Sequence, residues 1–193
     1  MDDLARRRGV PLDVYLPAED SYLLLAVAKQ VIEPGQLVID VGTGSGFLAE
    51  RLEETVGATV IGVDINPIAC QHANDRGVPT IRADLVSSIR SQTVDVVICN
   101  PPYLPSNDAR TGSSEWFDRA LDGGPTGRDV VLRLLADLDR VLTPTGRALL
   151  LLSSAMGIET VKREMRDAGF TVRGLEEDEY PNETLAVVEV LRI

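Results

Sequence analysis

The chain has 193 residues, 44% hydrophobic and 25% charged, enough to bury one core and a balance that excludes a disordered chain. Thirty acidic residues against nineteen basic ones give a formal net charge of -11, which repels phosphate backbones and argues against direct binding of nucleic acid. Adaptation to a salt-rich cytoplasm would produce the same acidity, because only Lys29 and Lys162 are lysines and the other basic residues are arginines. Two cysteines, Cys70 and Cys99, are too few for a disulfide framework, and one histidine, His72, leaves metal sites and Ser-His-Asp triads without partners, so no metal is expected. No early apolar run suits a signal peptide and no run of ~20 apolar residues spans a bilayer, so a cytoplasmic protein without membrane contact is expected.

In chain order, Asp-Val-Tyr-Leu-Pro-Ala-Glu-Asp-Ser-Tyr at 13–22 leads into an apolar run, 23–31, that reads as a helix closing an N-terminal helical segment, 1–33. From residue 34 onward, β-branched runs alternate with helical periodicity, the pattern of a parallel sheet covered by helices. Strands are predicted at 37–41, 59–63, 80–83, 94–99, 148–152, 170–175 and 185–191, and helices at 47–56, 67–74, 128–142 and 158–168. Pro67 suits a first helical turn capped by Asp64 or Asn66, His72 reads as helix surface, and Gly169 stops the helix before it. No helix separates the last two strands, so they should pair antiparallel. The expectation is one α/β domain over 1–193, with a seven-stranded, mostly parallel sheet and helices on both faces.

Residues 104–127, rich in Gly, Ser, Asp and Pro, are too long for an ordinary connection and are expected to form a substrate loop, although Trp116 and Phe117 packing down a solvated excursion would fit as well. The acidic run Glu176-Glu-Asp-Glu179 reads as a solvated turn.

Asp40-Val-Gly42-Thr43-Gly44-Ser-Gly46 lies between the first strand and the following helix, where glycines let the chain turn sharply and lay bare backbone against a ligand. A dinucleotide loop, G-x-G-x-x-G, would put its third glycine where Phe47 stands, and no Gly-Lys-Ser/Thr of a phosphate loop follows. Asp64 ends the second strand, where a carboxylate can accept from both hydroxyls of a ribose, and Asp84 ends the third in the same way.

Asn100-Pro101-Pro102-Tyr103 ends the fourth strand, expected beside the first and across the crevice from the glycine turn. The Asn100 side-chain oxygen and the Pro101 carbonyl can each accept one hydrogen bond from an NH2 group, holding a weakly nucleophilic nitrogen in line for attack. Pro102 keeps Pro101 out of helical conformation, and Tyr103 offers a flat face for a planar amide or base. These residues suit transfer to an amide or amino nitrogen without a strong base, since a nitrogen that gains a methyl sheds its proton to water.

The acidic residue and three glycines resemble the first motif of the Rossmann-like, class I S-adenosylmethionine-dependent methyltransferases. Adding Tyr15-x-Pro17-Ala-Glu-Asp20-Ser21, Asn-Pro-Pro-Tyr, Gly123-Gly124-Pro-Thr-Gly127-Arg128 and Glu183-Thr-Leu-Ala-Val-Val, the chain resembles the HemK-like release-factor glutamine methyltransferases, in their short archaeal-eukaryotic branch. The resemblance implies S-adenosylmethionine as cofactor, held by Asp20, Ser21, Asp40, Gly42, Thr43, Gly44, Gly46, Asp64, Ile65, Asp84, Leu85 and Asn100, with Asp84 at the adenine amine. It implies catalysis by Asn100, Pro101, Pro102 and Tyr103 on the glutamine of the Gly-Gly-Gln tip of a class I peptide chain release factor. It also implies a small zinc-binding activator subunit, forming a heterodimer through 78–81. Two other readings remain open at this point: an RNA or DNA exocyclic-amine methyltransferase, and a silent cofactor-binding subunit.

Overall fold

The computed structural model describes residues 13–192; the first part of the expected N-terminal segment, residues 1–12, lies outside them. Helix α1 (Glu19–Val31) precedes β1 (Leu37–Val41), α2 (Phe47–Val56), β2 (Thr59–Asp64), α3 (Pro67–Asp75), β3 (Thr80–Arg82) and β4 (Val94–Cys99). Then follow α4 (Glu115–Leu121), α5 (Asp129–Val141), β5 (Leu142–Ser153), a 3-10 turn (Ser154–Met156), α6 (Ile158–Asp167), β6 (Phe170–Tyr180) and β7 (Glu183–Arg192). The strand order is β3-β2-β1-β4-β5-β7-β6, parallel from β3 to β5, with β7 antiparallel to both β5 and β6. The expected α/β fold and the antiparallel last pair are therefore present.

Central strands are apolar on both faces because both are covered. Ile39, Val41, Val97, Cys99, Leu150 and Leu152 face a core closed by Leu134 and Leu138 of α5 and by Val161 and Met165 of α6. Val38, Val96, Ile98, Leu149 and Leu151 face the other, closed by Leu24 and Ala28 of α1 and Leu52 of α2. In α5 the buried Val131, Leu134, Leu135, Leu138 and Val141 recur at three- and four-residue steps, which is what seats it on the sheet.

Several expected boundaries move where tertiary pairing overrides local composition. Strand β5 begins at Leu142 rather than 148, because Leu142 pairs with Val94 ahead of an irregularity. A Cβ at Gly146 would stand 2.8 Å from the Val94 carbonyl, so glycine permits the close approach there. The acidic run 176–179 is not a turn: it continues β6 past a bulge after Gly174 and pairs with β7 as far as Tyr180 opposite Glu183. β6 is an edge strand, and charges along an edge oppose pairing with other chains. Within 104–127 an unpredicted helix, α4, is capped by Ser114, whose Oγ accepts from Phe117 N at 3.0 Å. Asn66, not Asp64, caps α3, accepting from Ile68 N at 2.9 Å. His72 lies half-buried on α3, with Nε2 unpartnered. Both cysteines are free and buried. Among the described residues, no helix is long and apolar enough to cross a membrane and no cluster of metal-binding side chains occurs.

Candidate active site

Neighbouring β1 and β4 end side by side, at the point where the order reverses from β1-β2-β3 to β4-β5. Open parallel sheets leave a crevice at such a point, beyond the carboxyl ends of the strands. A cavity of about 660 Å³ opens there, and its wall includes Gly42, Gly44, Asp64, Asn100, Pro101 and Tyr103. Two motifs more than fifty residues apart in sequence thus face one space.

The glycine turn is built by positive φ angles of 74° at Gly42 and 53° at Gly44. A Cβ at Gly42 would meet nothing within 4 Å, so there the glycine serves the turn and leaves backbone open to the cavity. Gly46 departs from its expected role: it is absent from the cavity wall, and a Cβ on it would stand 3.1 Å from Ala73 Cβ, so it seats α2 against α3. Asp64 steadies the turn, accepting from Gly44 N at 2.9 Å and from Asn66 N at 2.8 Å. Burial raises its carboxyl above the ordinary range. Asp40 is 1% exposed; Thr43 Oγ1 donates to its Oδ2 at 2.7 Å, while Oδ1 is buried without a partner. Thr43 itself needs space that only glycine at position 62 allows, since a Cβ there would stand 2.8 Å from Thr43 Cγ2.

Burial pushes the Asp40 carboxyl up to about 7. The folded chain therefore holds the Asp40 proton more tightly than the unfolded chain does. That stabilisation is complete below the unfolded value of 3.8 and is lost as pH rises through about 7, a difference on the order of 4 kcal/mol. Asp40→Asn should accordingly flatten the fall in unfolding temperature of the ligand-free protein between about pH 4 and pH 7. An unchanged slope would show that Asp40 is not the titrating group.

In the catalytic motif, Asn100 Oδ1 is buried and has no hydrogen-bond partner, an arrangement that normally costs ~1–3 kcal/mol and is rare without a ligand to fill it. Tyr103 is held by Asp20, whose Oδ2 accepts from Tyr15 Oη at 2.9 Å and from Tyr103 Oη at 3.4 Å. Ser21 N and Oγ occupy Asp20 Oδ1 at 2.5 and 3.0 Å. Burial and the nearby Asp20 carboxylate drive both phenols well above their usual range, so they remain protonated donors. Asp20 and Ser21 lie on the cavity wall, and Asp20 anchors two tyrosines.

Behind this motif stands the second glycine turn, whose role the sequence reading missed. A Cβ at Gly123 would lie 2.7 Å from the Pro102 carbonyl, and one at Gly127, where φ is 73°, would overlap the Tyr103 carbonyl. Leu104 N donates to Leu121 O at 3.0 Å and Gly123 N to Leu104 O at 2.9 Å, tying the end of α4 to the motif. The 104–127 segment is thus ordered against the site, with Trp116 and Arg119 on the cavity wall. Ile65 and Leu85 line the cavity, Leu85 with a positive φ of 49° that non-glycine residues seldom adopt. Asp84 lines it too, but is half-exposed and paired with Arg133 at 2.5 Å, a partner not anticipated from the sequence.

A family model described as a methyltransferase domain matches residues 38–124, from the first strand through the glycine at the back of the catalytic turn. A Methanocaldococcus jannaschii protein assigned as a protein N5-glutamine methyltransferase is 30% identical over 188 residues, covering 94% of this chain and 93% of its own length. The chain belongs to the HemK-like release-factor glutamine methyltransferase family. Its members are class I S-adenosylmethionine-dependent enzymes. The human methyltransferase HEMK2 is 29% identical to this HemK-like chain, over 94% of it and 91% of the human protein. Among solved structures, the E. cuniculi Mtq2-Trm112 complex, responsible for methylation of the translation termination factor eRF1, superposes with a TM-score of 0.78 at 30% identity, covering 94% of this chain and 99% of that one.

Proposed function

We propose that this protein transfers the methyl group of S-adenosylmethionine to the side-chain amide nitrogen of the glutamine in the Gly-Gly-Gln tip of a class I release factor, in the cytoplasm. The observation that carries the reading is Asn100, whose buried Oδ1 makes no hydrogen bond within the protein, on the wall of the same cavity as the glycine turn and Asp64. The relatives named for glutamine methylation support the choice of acceptor.

The cavity suits the cofactor on its own terms. Asp40, expected at the cofactor, is absent from the cavity wall and lies buried beneath the turn, where it holds Thr43, while the bare backbone at Gly42 and Gly44 leaves room for a ligand. Gly42, Thr43 and Gly44, supported from below by Asp40, would hold its amino-acid end, Asp64 and Ile65 the ribose, and Asp84 and Leu85 the adenine. When bound, S-adenosylmethionine supplies an electrophilic methyl group on a sulfonium centre. Asn100 Oδ1 and the Pro101 carbonyl accept the two N–H bonds of the acceptor amide, and this orientation directs the nitrogen lone pair to one side. Tyr103, fixed through Asp20, supplies the flat face against which the amide plane rests. Holding the reactants in line contributes ~7–11 kcal/mol to lowering such a barrier, and the departing amide proton needs only water.

Incubation with labelled S-adenosylmethionine and either a purified release factor or total RNA tests the reading. Label on the tip glutamine, located by mass spectrometry, is expected; label confined to RNA would overturn it.

A small activator subunit completes the proposal, as in the E. cuniculi complex. Strand β3 is a three-residue edge strand, so its outer edge is open to a partner. Of the expected contacts 78–81, Val78 is buried beside Gly46 and unavailable, leaving Pro79, Thr80 and Ile81. Pro79→Asp should abolish copurification of the small subunit while the isolated chain stays folded, because Pro79 is exposed whereas Ile81 also packs against the core. Retention of the complex would move the interface elsewhere.

A further inference from the structure

A second cavity, of about 410 Å³, lies beyond Tyr103 on the side away from the glycine turn. It shares Tyr15, Asp20, Tyr103 and Glu183 with the first, so the two spaces meet across the tyrosines that Asp20 holds. Its volume falls within the roughly 300–1,000 Å³ usual for ligand sites. Its outer wall is the tip of the β6-β7 hairpin, Tyr180-Pro181-Asn182-Glu183.

That tip is a braced wall. Ser153, fully buried, donates through Oγ to Glu183 Oε1 at 2.6 Å, and Thr184 N donates to Ser154 Oγ at 3.0 Å. These bonds fasten the start of β7 to the turn after β5, while ladder pairing reaches the last residue of β6. Pro181 and Asn182 remain exposed at the apex. Of the hairpin tip, only Glu183 also lines the first cavity.

The lining indicates what fits. Three tyrosines, Tyr15, Tyr103 and Tyr180, present rings and hydroxyls, Asn182 presents an amide, and Leu185 and Pro181 add apolar surface. Such a mixture suits a polypeptide, whose backbone offers both donors and acceptors between apolar groups. Among the described residues its charged side chains, Glu19, Asp20 and Glu183, are all acidic, which disfavours a phosphate backbone in this second cavity.

We propose that this second cavity receives the substrate polypeptide flanking the methylated residue, with the Tyr180–Glu183 tip as the wall that selects a protein over a nucleic-acid acceptor. The inference rests on the protein-methylating reading above. In it the acceptor side chain passes Tyr103 into the first cavity while the adjoining chain lies between Tyr15 and the hairpin tip.

The experiment compares wild type, Tyr180→Ala and Asn182→Cys on a purified release factor with labelled S-adenosylmethionine. Truncating Tyr180 should raise the KM for the factor about tenfold, with cofactor affinity unchanged and kcat much less affected, while the loss of its packing against the core lowers the unfolding temperature. A benzophenone attached at position 182 should crosslink to the factor within a few residues of the acceptor. An unchanged KM together with no crosslink near the acceptor would overturn the annex while leaving the protein-methylating reading intact. If wild type itself labels RNA and not the factor, that reading falls and this inference falls with it.

Discussion

Replacing Asn100 with alanine should lower kcat by about a hundred- to a thousandfold, the loss typical of removing one preorganised hydrogen-bonding group at a reacting centre. The ligand-free variant should be at least as stable as the wild type. Oδ1 makes no hydrogen bond to another protein group, so deleting it breaks none within the fold. Calorimetric unfolding and cofactor titration, run beside the transfer assay, separate the two effects. A variant that is inactive because it is unfolded, or one that retains full activity, would remove Asn100 from the reacting centre.

Gly127→Ala should cost nearly as much activity without touching either motif. With φ at 73°, a left-handed residue other than glycine costs about 1–2 kcal/mol, and its Cβ would overlap the Tyr103 carbonyl. The turn at 123–127 and the catalytic turn must then separate, and a shift of ~1 Å at the reacting atoms is enough to cost about a hundredfold in rate. Because Gly42 and Gly44 are untouched, cofactor affinity should hold while kcat falls. If the cofactor instead binds much more weakly, the second turn supports the whole cleft and not the catalytic motif in particular.

Much of this arrangement is visible in the one-dimensional pattern. The first and fourth strands and α2 fall on the expected residues, because continuous β-branched runs and three-to-four-residue apolar spacing leave little choice. The glycine and Asn-Pro-Pro-Tyr turns carry their chemistry in residue types that few other roles require. Segments whose conformation is set by distant partners were not legible. Glu176 to Glu179 has the composition of a turn and becomes strand only because β7 pairs with it. Residues 115–121 look like loop and become helix where Ser114 caps them.

At the site the division is the same. Sequence alone determined the fold class, the two motifs and the family, since each rests on local residue type and spacing. Only the tertiary structure decided that Asp20 anchors Tyr103 and Tyr15, that Gly46 packs α2 on α3, that Asp84 is paired with Arg133, and that Gly123 and Gly127 stand against the catalytic turn. Those are distances between residues far apart in the chain, fixed by how both faces of one sheet are covered, and no local pattern encodes them.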